Sequence, residues 1–203
     1  MIRLGEEPQI LSMAHSLGIH KGDPVVGIQD FCRDKVHHLL EGAIRPVHSI
    51  EDLEKLICEK LHITIIEVWT DEDLSAVIDK YARDEKELGF AGLRRDLDSD
   101  TFAALLRRLK KAANGEDRYV AIIDCRGEKG KRRFFTRWHE IAHVLTQYEQ
   151  LQFPLHRSTI KKDPVEKMMD LIAGDIGFLD ELFIPVLQAE IIGRDQLTFA
   201  SVP

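Results

Sequence analysis

Apolar residues recur at intervals of three and four along much of the chain, and this spacing predicts helices. Ser49 and the acidic residues after Thr70 are typical of helix starts. Four helices follow from the pattern, at about Val25–Leu40, Ile50–Leu61, Thr70–Gly89 and Asp100–Ala113. The fourth carries an apolar stripe made of Phe102, Leu105, Leu106 and Leu109.

Other stretches show the pattern of strands. His62–Val68 alternates and is rich in β-branched residues, and Tyr119–Cys125 is a short apolar run followed by the turn sequence Gly127–Gly130. Lys131–Phe135 is placed to pair with the second strand as the returning arm of a hairpin. Because helices dominate and strands are few, the pattern predicts an α+β fold with a small sheet.

Domain organisation is predicted from the same pattern. We expect a mainly helical region over residues 1–115 and a second region over residues 116–203, an arrangement that one compact domain could also accommodate. With 203 residues and 44% apolar content, the chain can bury a substantial core. Leu197-Thr198-Phe199 reads as the start of a strand, so we consider a further C-terminal region beyond the sequence.

Cysteine usage and hydropathy exclude several classes of protein. Cys32, Cys58 and Cys125 are far apart and odd in number, which argues against a disulfide framework and a cysteine-rich zinc module. No segment approaches the ~20 apolar residues of a membrane span, and residues 1–22 lack the unbroken apolar run of a secretory signal. We therefore expect a cytoplasmic protein that is not inserted in a membrane.

The net charge of −7 argues against general binding to nucleic acid, which needs clustered excess positive charge. A helix-turn-helix over residues 25–62 is an alternative, but the range lacks a clear turn glycine and a basic recognition helix. Two basic clusters are interpreted either as solvated surface or as charge that steers an acidic partner. They comprise Arg107, Arg108, Lys110 and Lys111, and Arg126, Lys129, Lys131, Arg132, Arg133 and Arg137.

The sequence His139-Glu140-Ile141-Ala142-His143 is an H-E-x-x-H motif. On an α-helix its two histidines lie one turn apart on one face, so both imidazoles can bind a single zinc ion while Glu140 lies beside it as a base. Thr136 is predicted to cap this helix. Its core stripe is predicted to comprise Trp138, Ile141, Ala142 and Leu145. The histidines would then project from a neighbouring face towards a solvent-reachable cleft.

Hydrolytic zinc sites use three protein ligands and leave one position open for water. Glu166 is the best candidate for the third ligand, and Asp170, four residues later, can accept a hydrogen bond from a ligand histidine and fix its tautomer. An alternative role for Glu166 is in helix capping, because Asp163 and Pro164 form a good helix start. His156 is the nearest rival ligand.

Arg133–Leu145 and Glu166–Gly174 together resemble the ImmA/IrrE family of metallopeptidases, which are bacterial and phage zinc proteins with a gluzincin-like active site. The similar part extends from about Asp117 to Pro185. The family pattern is R-F-T-x-A-H-E-x-[GA]-H, then E-x-x-A-[ND]-x-F-A-A and a Met-Pro pair. The resemblance implies a zincin-like catalytic region over residues 116–203.

The chain departs from this pattern at several positions. Trp138 replaces the common alanine, Ala142 the common glycine and Asp170 the common asparagine, while Phe183-Ile184-Pro185 stands where a Met-Pro pair is usual. The residues that would carry the chemistry are all present. The departures bear on substrate preference and leave the metal-binding pattern intact.

The resemblance implies cleavage of a specific protein partner, typically a helix-turn-helix transcriptional repressor that controls stress or mobile-element genes. One zinc ion on His139, His143 and Glu166 would activate water, and Glu140 would take the proton and pass it to the leaving amine. Manganese or iron would also suit these ligands. A metal-binding regulatory module without proteolytic activity is the main alternative. Candidates for oxyanion or substrate contacts are Tyr148, His156 and Arg157.

Overall fold

A computed structural model describes residues 3–41, 49–85, 92–97, 101–107, 119–146, 155–158 and 163–178. Its helices are α1 (Pro8–Ser16), α2 (Pro24–Glu41), α3 (Ile50–Leu61), α4 (Asp71–Glu85), α5 (Leu93–Asp96), α6 (Arg133–Thr146) and α7 (Pro164–Gly177). Its strands are β1 (Ile63–Val68), β2 (Thr101–Arg107), β3 (Tyr119–Asp124) and β4 (Leu155–Ser158). Short 3-10 helices occupy Leu4–Glu6 and Gly127–Arg132.

The four strands form one mixed sheet in the order β1-β3-β2-β4. β1 is parallel to β3, whereas β2 is antiparallel to both β3 and β4. The sheet joins β1 and β2, which precede residue 115, to β3, which follows it. Residues 108–118 lie outside the described part, so the division near residue 115 stays a prediction.

Both faces of the sheet are covered, because alternate residues of each strand point to opposite sides. On one face, Ala103, Leu105, Ala121 and Ile123 belong to a core with residues of α1, α2, α3, α6 and α7. On the other, Ala104, Leu106, Val120 and Ile122 belong to a second core with α4 and α5. Burial on both sides explains why β3 reads as a continuous apolar run.

The architecture agrees with an α+β protein in which a small sheet lies beside the H-E-x-x-H helix α6. Within the described ranges, no helix has the length and apolar character needed to cross a membrane. All three cysteines are free, as their number and spacing predicted. Leu197-Thr198-Phe199 lies outside the described residues.

Several predicted elements are confirmed within a residue or two. The helices expected from Val25 and Ile50 are α2 and α3, and the Ser49 side chain caps α3 by accepting a hydrogen bond from the Asp52 amide. The first predicted strand is β1, preceded by His62 in the left-handed conformation that ends α3. α4 is described only to Glu85, so its predicted end near Gly89 lies outside the described residues.

The helix predicted over Asp100–Ala113 is wrong in its described part, because Thr101–Arg107 forms the strand β2. The run Phe102-Ala103-Ala104-Leu105-Leu106 is apolar throughout and fits both a helix stripe and a strand buried on both faces. Tertiary context decided between them. β2 lies between β3 and β4, and its alanines and leucines alternate between the two cores.

The hairpin predicted at Lys131–Phe135 is also wrong. Both edges of β3 are already paired, one with β1 and one with β2, so no position remains for a returning arm. Residues 127–132 form a 3-10 helix, and α6 begins directly after it at Arg133. Thr136 therefore lies inside α6, where it is buried, and it is not the helix cap.

The sequence pattern did not predict α1, although this helix contributes buried residues to the core beside α6 and α7. Ile10, Met13 and Ala14 form its buried side. The nine-residue helix has four apolar residues besides its proline, and one of them, Leu11, is exposed, so the periodic signal is weak. Packing against α2 and α7 supplies the stability that the local pattern does not indicate.

Candidate metal centre

The H-E-x-x-H residues lie in the middle of α6, and all of their side chains are buried. His139, Glu140 and His143 are 1%, 1% and 4% exposed. The predicted core stripe of Trp138, Ile141, Ala142 and Leu145 is buried too. The histidines were expected to project towards a solvent-reachable cleft. They face α7, where the Glu166 side chain that contacts both of them is 17% exposed, and the cleft itself stays a prediction.

Helix α7 carries the acidic partners of these histidines. Its N-cap is Asp163, whose side chain accepts a hydrogen bond from the Val165 amide at 2.9 Å, and Pro164 occupies the first turn. Asp163 is thus the helix cap, as the sequence predicted. The Glu166 side chain points instead to α6, where it contacts both histidines of the motif.

Three donor atoms converge between the two helices. The Nε2 atom of His139 lies 3.1 Å from Oε2 of Glu166, and the Nε2 atom of His143 lies 3.4 Å from Oε1. The imidazole centroids are 5.0 Å apart and their planes meet at 68°. One donor atom from each residue lies within 4.8 Å of the others, so the group could hold a metal ion.

Asp170 orients one of the imidazoles. Its Oδ1 lies 2.9 Å from Nδ1 of His139, one helical turn beyond Glu166. An ionised carboxylate can only accept, so Nδ1 is the donor in this bond. The lone pair of neutral His139 is then on Nε2, which faces Glu166.

The electrostatics of Glu166 favour a cation in the same place. Burial raises the pKa of this carboxyl, but hydrogen bonds and positive charge from His139 and His143 outweigh burial and hold the pKa far below its usual range. When His139 is neutral, its Nε2 lone pair would face an anionic oxygen of Glu166 at 3.1 Å. Either protons or a metal ion must relieve this repulsion.

The remaining predicted site residues are placed only in part. Tyr148 lies outside the described residues. His156 and Arg157 belong to the backbone of β4, where His156 stands opposite Ala104 of β2, but their side chains are outside the described part. Their proposed contacts with oxyanion or substrate, and the rival role of His156 as a ligand, stay predictions.

The basic cluster before α6 is largely occupied by ion pairs within the fold. Arg126 and Lys129 both bind the buried Asp124 carboxylate, at 2.8 and 2.6 Å. Arg137 lies 3.2 Å from both Glu54 of α3 and Glu67 of β1. These charges tie α6 and the preceding 3-10 helix to the sheet. Of the other cluster, Arg107 ends β2 and its side chain is outside the described part.

Helix α2 contacts both helices of the site, which the sequence pattern did not predict. Lys35 donates a hydrogen bond to a backbone carbonyl of α6, and Arg33 pairs with Asp175 of α7. The partners are 110 and 142 residues apart in the chain. No local sequence pattern could have linked them.

In sum, α6 and α7 bring together two imidazole nitrogens and a carboxylate, a group that could hold a metal ion. Asp170 orients one imidazole, and Glu140 follows His139 directly on the same helix. No known family model matches the chain, and neither a curated protein nor a solved structure matches it.

Proposed function

We propose that this protein is a zinc-dependent endopeptidase that hydrolyses a peptide bond of a specific protein partner. The observation that carries the proposal is the convergence of His139, His143 and Glu166 within 4.8 Å, with Glu140 next to the first ligand on the same helix. Two imidazoles and one carboxylate are the ligand set of a catalytic zinc site that keeps one position for water. The zincin-like assignment rests on this set.

The donor distances fit zinc. Four donors placed tetrahedrally about 2.1 Å from a zinc ion are separated from one another by roughly 3.4 Å. The separations of 3.1 and 3.4 Å between the histidine nitrogens and the Glu166 oxygens are close to this value. The two distances end on different oxygens of Glu166, so the carboxylate would bind the ion either through both oxygens or, after a small turn, through one.

The residues of the chain have separate tasks in the proposed reaction. Zinc, when bound, supplies a Lewis acid and lowers the pKa of a water molecule towards neutrality. Glu140 accepts the proton of that water and returns it to the leaving amine. Asp170 keeps the Nε2 lone pair of His139 directed at the metal position, and burial of both histidines excludes competing water.

The resemblance to the ImmA/IrrE family makes helix-turn-helix transcriptional repressors the first candidate substrates. We also propose a cytoplasmic location, since repressors act there and all three cysteines of the chain are free. Direct binding to nucleic acid is not part of the proposal.

Metal content and cleavage test the proposal together. Wild-type protein should carry one equivalent of zinc and cut a cognate repressor. Glu140→Gln should keep the zinc and lose cleavage, whereas His143→Ala should lose both. Glu128→Gln is the matched control, because this glutamate is 86% exposed and its ion pair among the described residues is with Lys131 at the surface.

The results separate the proposed enzyme from a metal-binding regulatory module. If the proteins retain zinc but the wild type cleaves none of the partners that it binds, the metal-binding regulatory module is favoured. Equal cleavage by wild type and Glu140→Gln would remove Glu140 as the base. Zinc retained by His143→Ala would remove this histidine from the ligand set.

A further inference from the structure

We infer that helix α2 fixes the relative position of α6 and α7, and that Arg33 and Lys35 are positioning residues for the metal site. The inference rests on the proposed metal site. Neither residue contacts a ligand of that site in the described structure; each binds a different ligand-bearing helix.

Lys35 acts on α6. Its Nζ atom donates a hydrogen bond to the Leu145 carbonyl oxygen at 2.8 Å. The last four carbonyls of a helix have no partner within the helix, and a positive charge at this end is favourable. Leu145 follows His143 by two residues in the last turn of α6. The contact therefore holds the turn that presents His143.

Arg33 acts on α7. One guanidinium nitrogen donates to both oxygens of Asp175, at 2.9 and 2.8 Å. A second nitrogen donates to Asp30 on α2 itself, at 3.0 Å, which holds the guanidinium in place. Charge-assisted hydrogen bonds of this kind constrain direction as well as distance. Asp175 lies on the helix that carries Glu166 and Asp170.

The side chains that make the two contacts, Arg33 and Lys35, lie on opposite sides of the buried stripe of α2. Ile28, Cys32 and Val36 form that stripe. With about 100° between successive helical residues, Arg33 and Lys35 flank Cys32 on either side. α2 thus lies against both ligand-bearing helices and contacts each with one positively charged side chain, Lys35 with α6 and Arg33 with α7.

Relative movement of α6 and α7 would change the metal site, because the histidines come from one helix and the carboxylate from the other. Apolar packing alone has no preferred direction and tolerates small shifts between helices. The hydrogen bonds from α2 are directional. We therefore expect them to maintain the 3.1 and 3.4 Å separations between the histidine nitrogens and Glu166.

Zinc affinity measured by competition with a chromophoric chelator tests the inference. Lys35→Met keeps the apolar stem and loses the ammonium, and Arg33→Gln loses the pair with Asp175. Each should weaken zinc binding by about tenfold, the lower end of the effect known for residues behind metal ligands. Lys35→Arg should recover most of the affinity, since a guanidinium can donate to the same carbonyl. The visible absorption of bound Co²⁺ should change in Lys35→Met and return in Lys35→Arg.

A matched control separates positioning from general loss of stability. Leu74→Ala removes buried volume from the core on the opposite face of the sheet, far from α2. All variants are measured at a temperature where circular dichroism shows them folded. Zinc affinity unchanged in Leu74→Ala but weakened in the α2 variants supports the inference. An equal loss in all variants would attribute the effect to stability and overturn it.

A double-mutant cycle on Arg33 and Asp175 provides an independent test if Lys35→Met does not fold. Arg33→Gln and Asp175→Asn combined should bind zinc no more weakly than either single variant, because the two residues act through one contact. If the losses of zinc affinity in the two single variants added up in the double variant, Arg33 and Asp175 would not act through one contact, and the role of Arg33 would be overturned. If wild type binds no zinc, the proposed function itself is wrong. If wild type binds and the α2 variants bind equally well, only the role of α2 is wrong.

Discussion

The indole of Trp138 fills the space that a side chain at position 177 would need. A Cβ built on Gly177 would lie 3.1 Å from Cγ and Cδ1 of Trp138, a residue that is 1% exposed. The two residues belong to α6 and α7, so the helices approach each other closely at this end of the site. Trp138 directly precedes His139, and a glycine lies opposite its indole.

Gly177→Ala should lower the free energy of unfolding by about 1–3 kcal/mol, the usual cost of adding volume to a packed core. Trp138 is enclosed and cannot move aside easily. The clash therefore outweighs the gain in helix propensity that alanine normally brings. Urea unfolding followed by circular dichroism measures the change.

Gly174 supplies the matched control on the same helix. A Cβ built there meets nothing within 4 Å. Gly174→Ala should raise stability by up to about 1 kcal/mol, because alanine loses less backbone entropy in a helix. If Gly177→Ala were stabilised to the same extent, the contact with Trp138 would not be tight.

The group of residues that could hold a metal ion was predictable from the sequence because its pattern is local. The spacing of His139 and His143 requires only one helix, and the Glu166 to Asp170 spacing requires only a second helix. The structure brings these four residues together. What the pattern could not predict was how far α7 encloses the histidines, because burial depends on packing between distant segments.

The errors in the fold have the same physical origin. Phe102 and the leucines that follow predict a helix, because their spacing fits the helical period. A strand that is buried on both faces is apolar throughout, so it satisfies the helical period as well as the strand period. The predicted hairpin at Lys131–Phe135 cannot form, because β1 and β2 already pair with the two edges of β3. Pairing of β1 with β3 joins segments about 56 residues apart, and no local signal reports it.

Asp124 is expected to make stability depend on pH. Burial raises the pKa of this carboxyl, but hydrogen bonds from Arg126 and Lys129 outweigh burial and hold the pKa below its usual range. A pKa that is lower in the folded state gives stability that is present above the unfolded value near 3.9 and is lost as pH falls through the folded value. Asp124→Asn should therefore cost about 3 kcal/mol at pH 7, because it removes the buried carboxylate that Arg126 and Lys129 share and leaves Arg126 with only its exposed partner Asp71 among the described carboxylates.

The cost of Asp124→Asn should shrink as pH falls below the unfolded value near 3.9, because the unfolded wild-type chain then gains a proton that the folded carboxylate, with its lowered pKa, resists. Glu128→Gln is the control, since its pair with Lys131 is exposed and should contribute less than about 1 kcal/mol at any pH. A cost for Asp124→Asn that stays constant from pH 7 to pH 2 would contradict a role for ionised Asp124.

Asp170 should affect metal affinity through the hydrogen bond it accepts from His139. Asp170→Ala removes the acceptor that fixes the tautomer, and zinc binding should weaken about 10- to 100-fold. Asp170→Asn should lose much less, because the amide oxygen can still accept from Nδ1. Chelator competition with both variants tests this order. Equal affinities for the alanine and asparagine variants would mean that the hydrogen bond does not control the ligand.

Zinc held by His139 and Glu166, which are 27 residues apart in the chain, would link α6 to α7 and should therefore stabilise the fold. At free zinc about 100-fold above its dissociation constant, linkage predicts a gain of roughly 2.7 kcal/mol in the free energy of unfolding. Thermal unfolding with zinc and with a chelator measures it. His143→Ala should lose the gain while Glu128→Gln keeps it. If His143→Ala still gained stability from zinc, the stabilising ion would bind at another site, because this variant lacks one of the three proposed ligands.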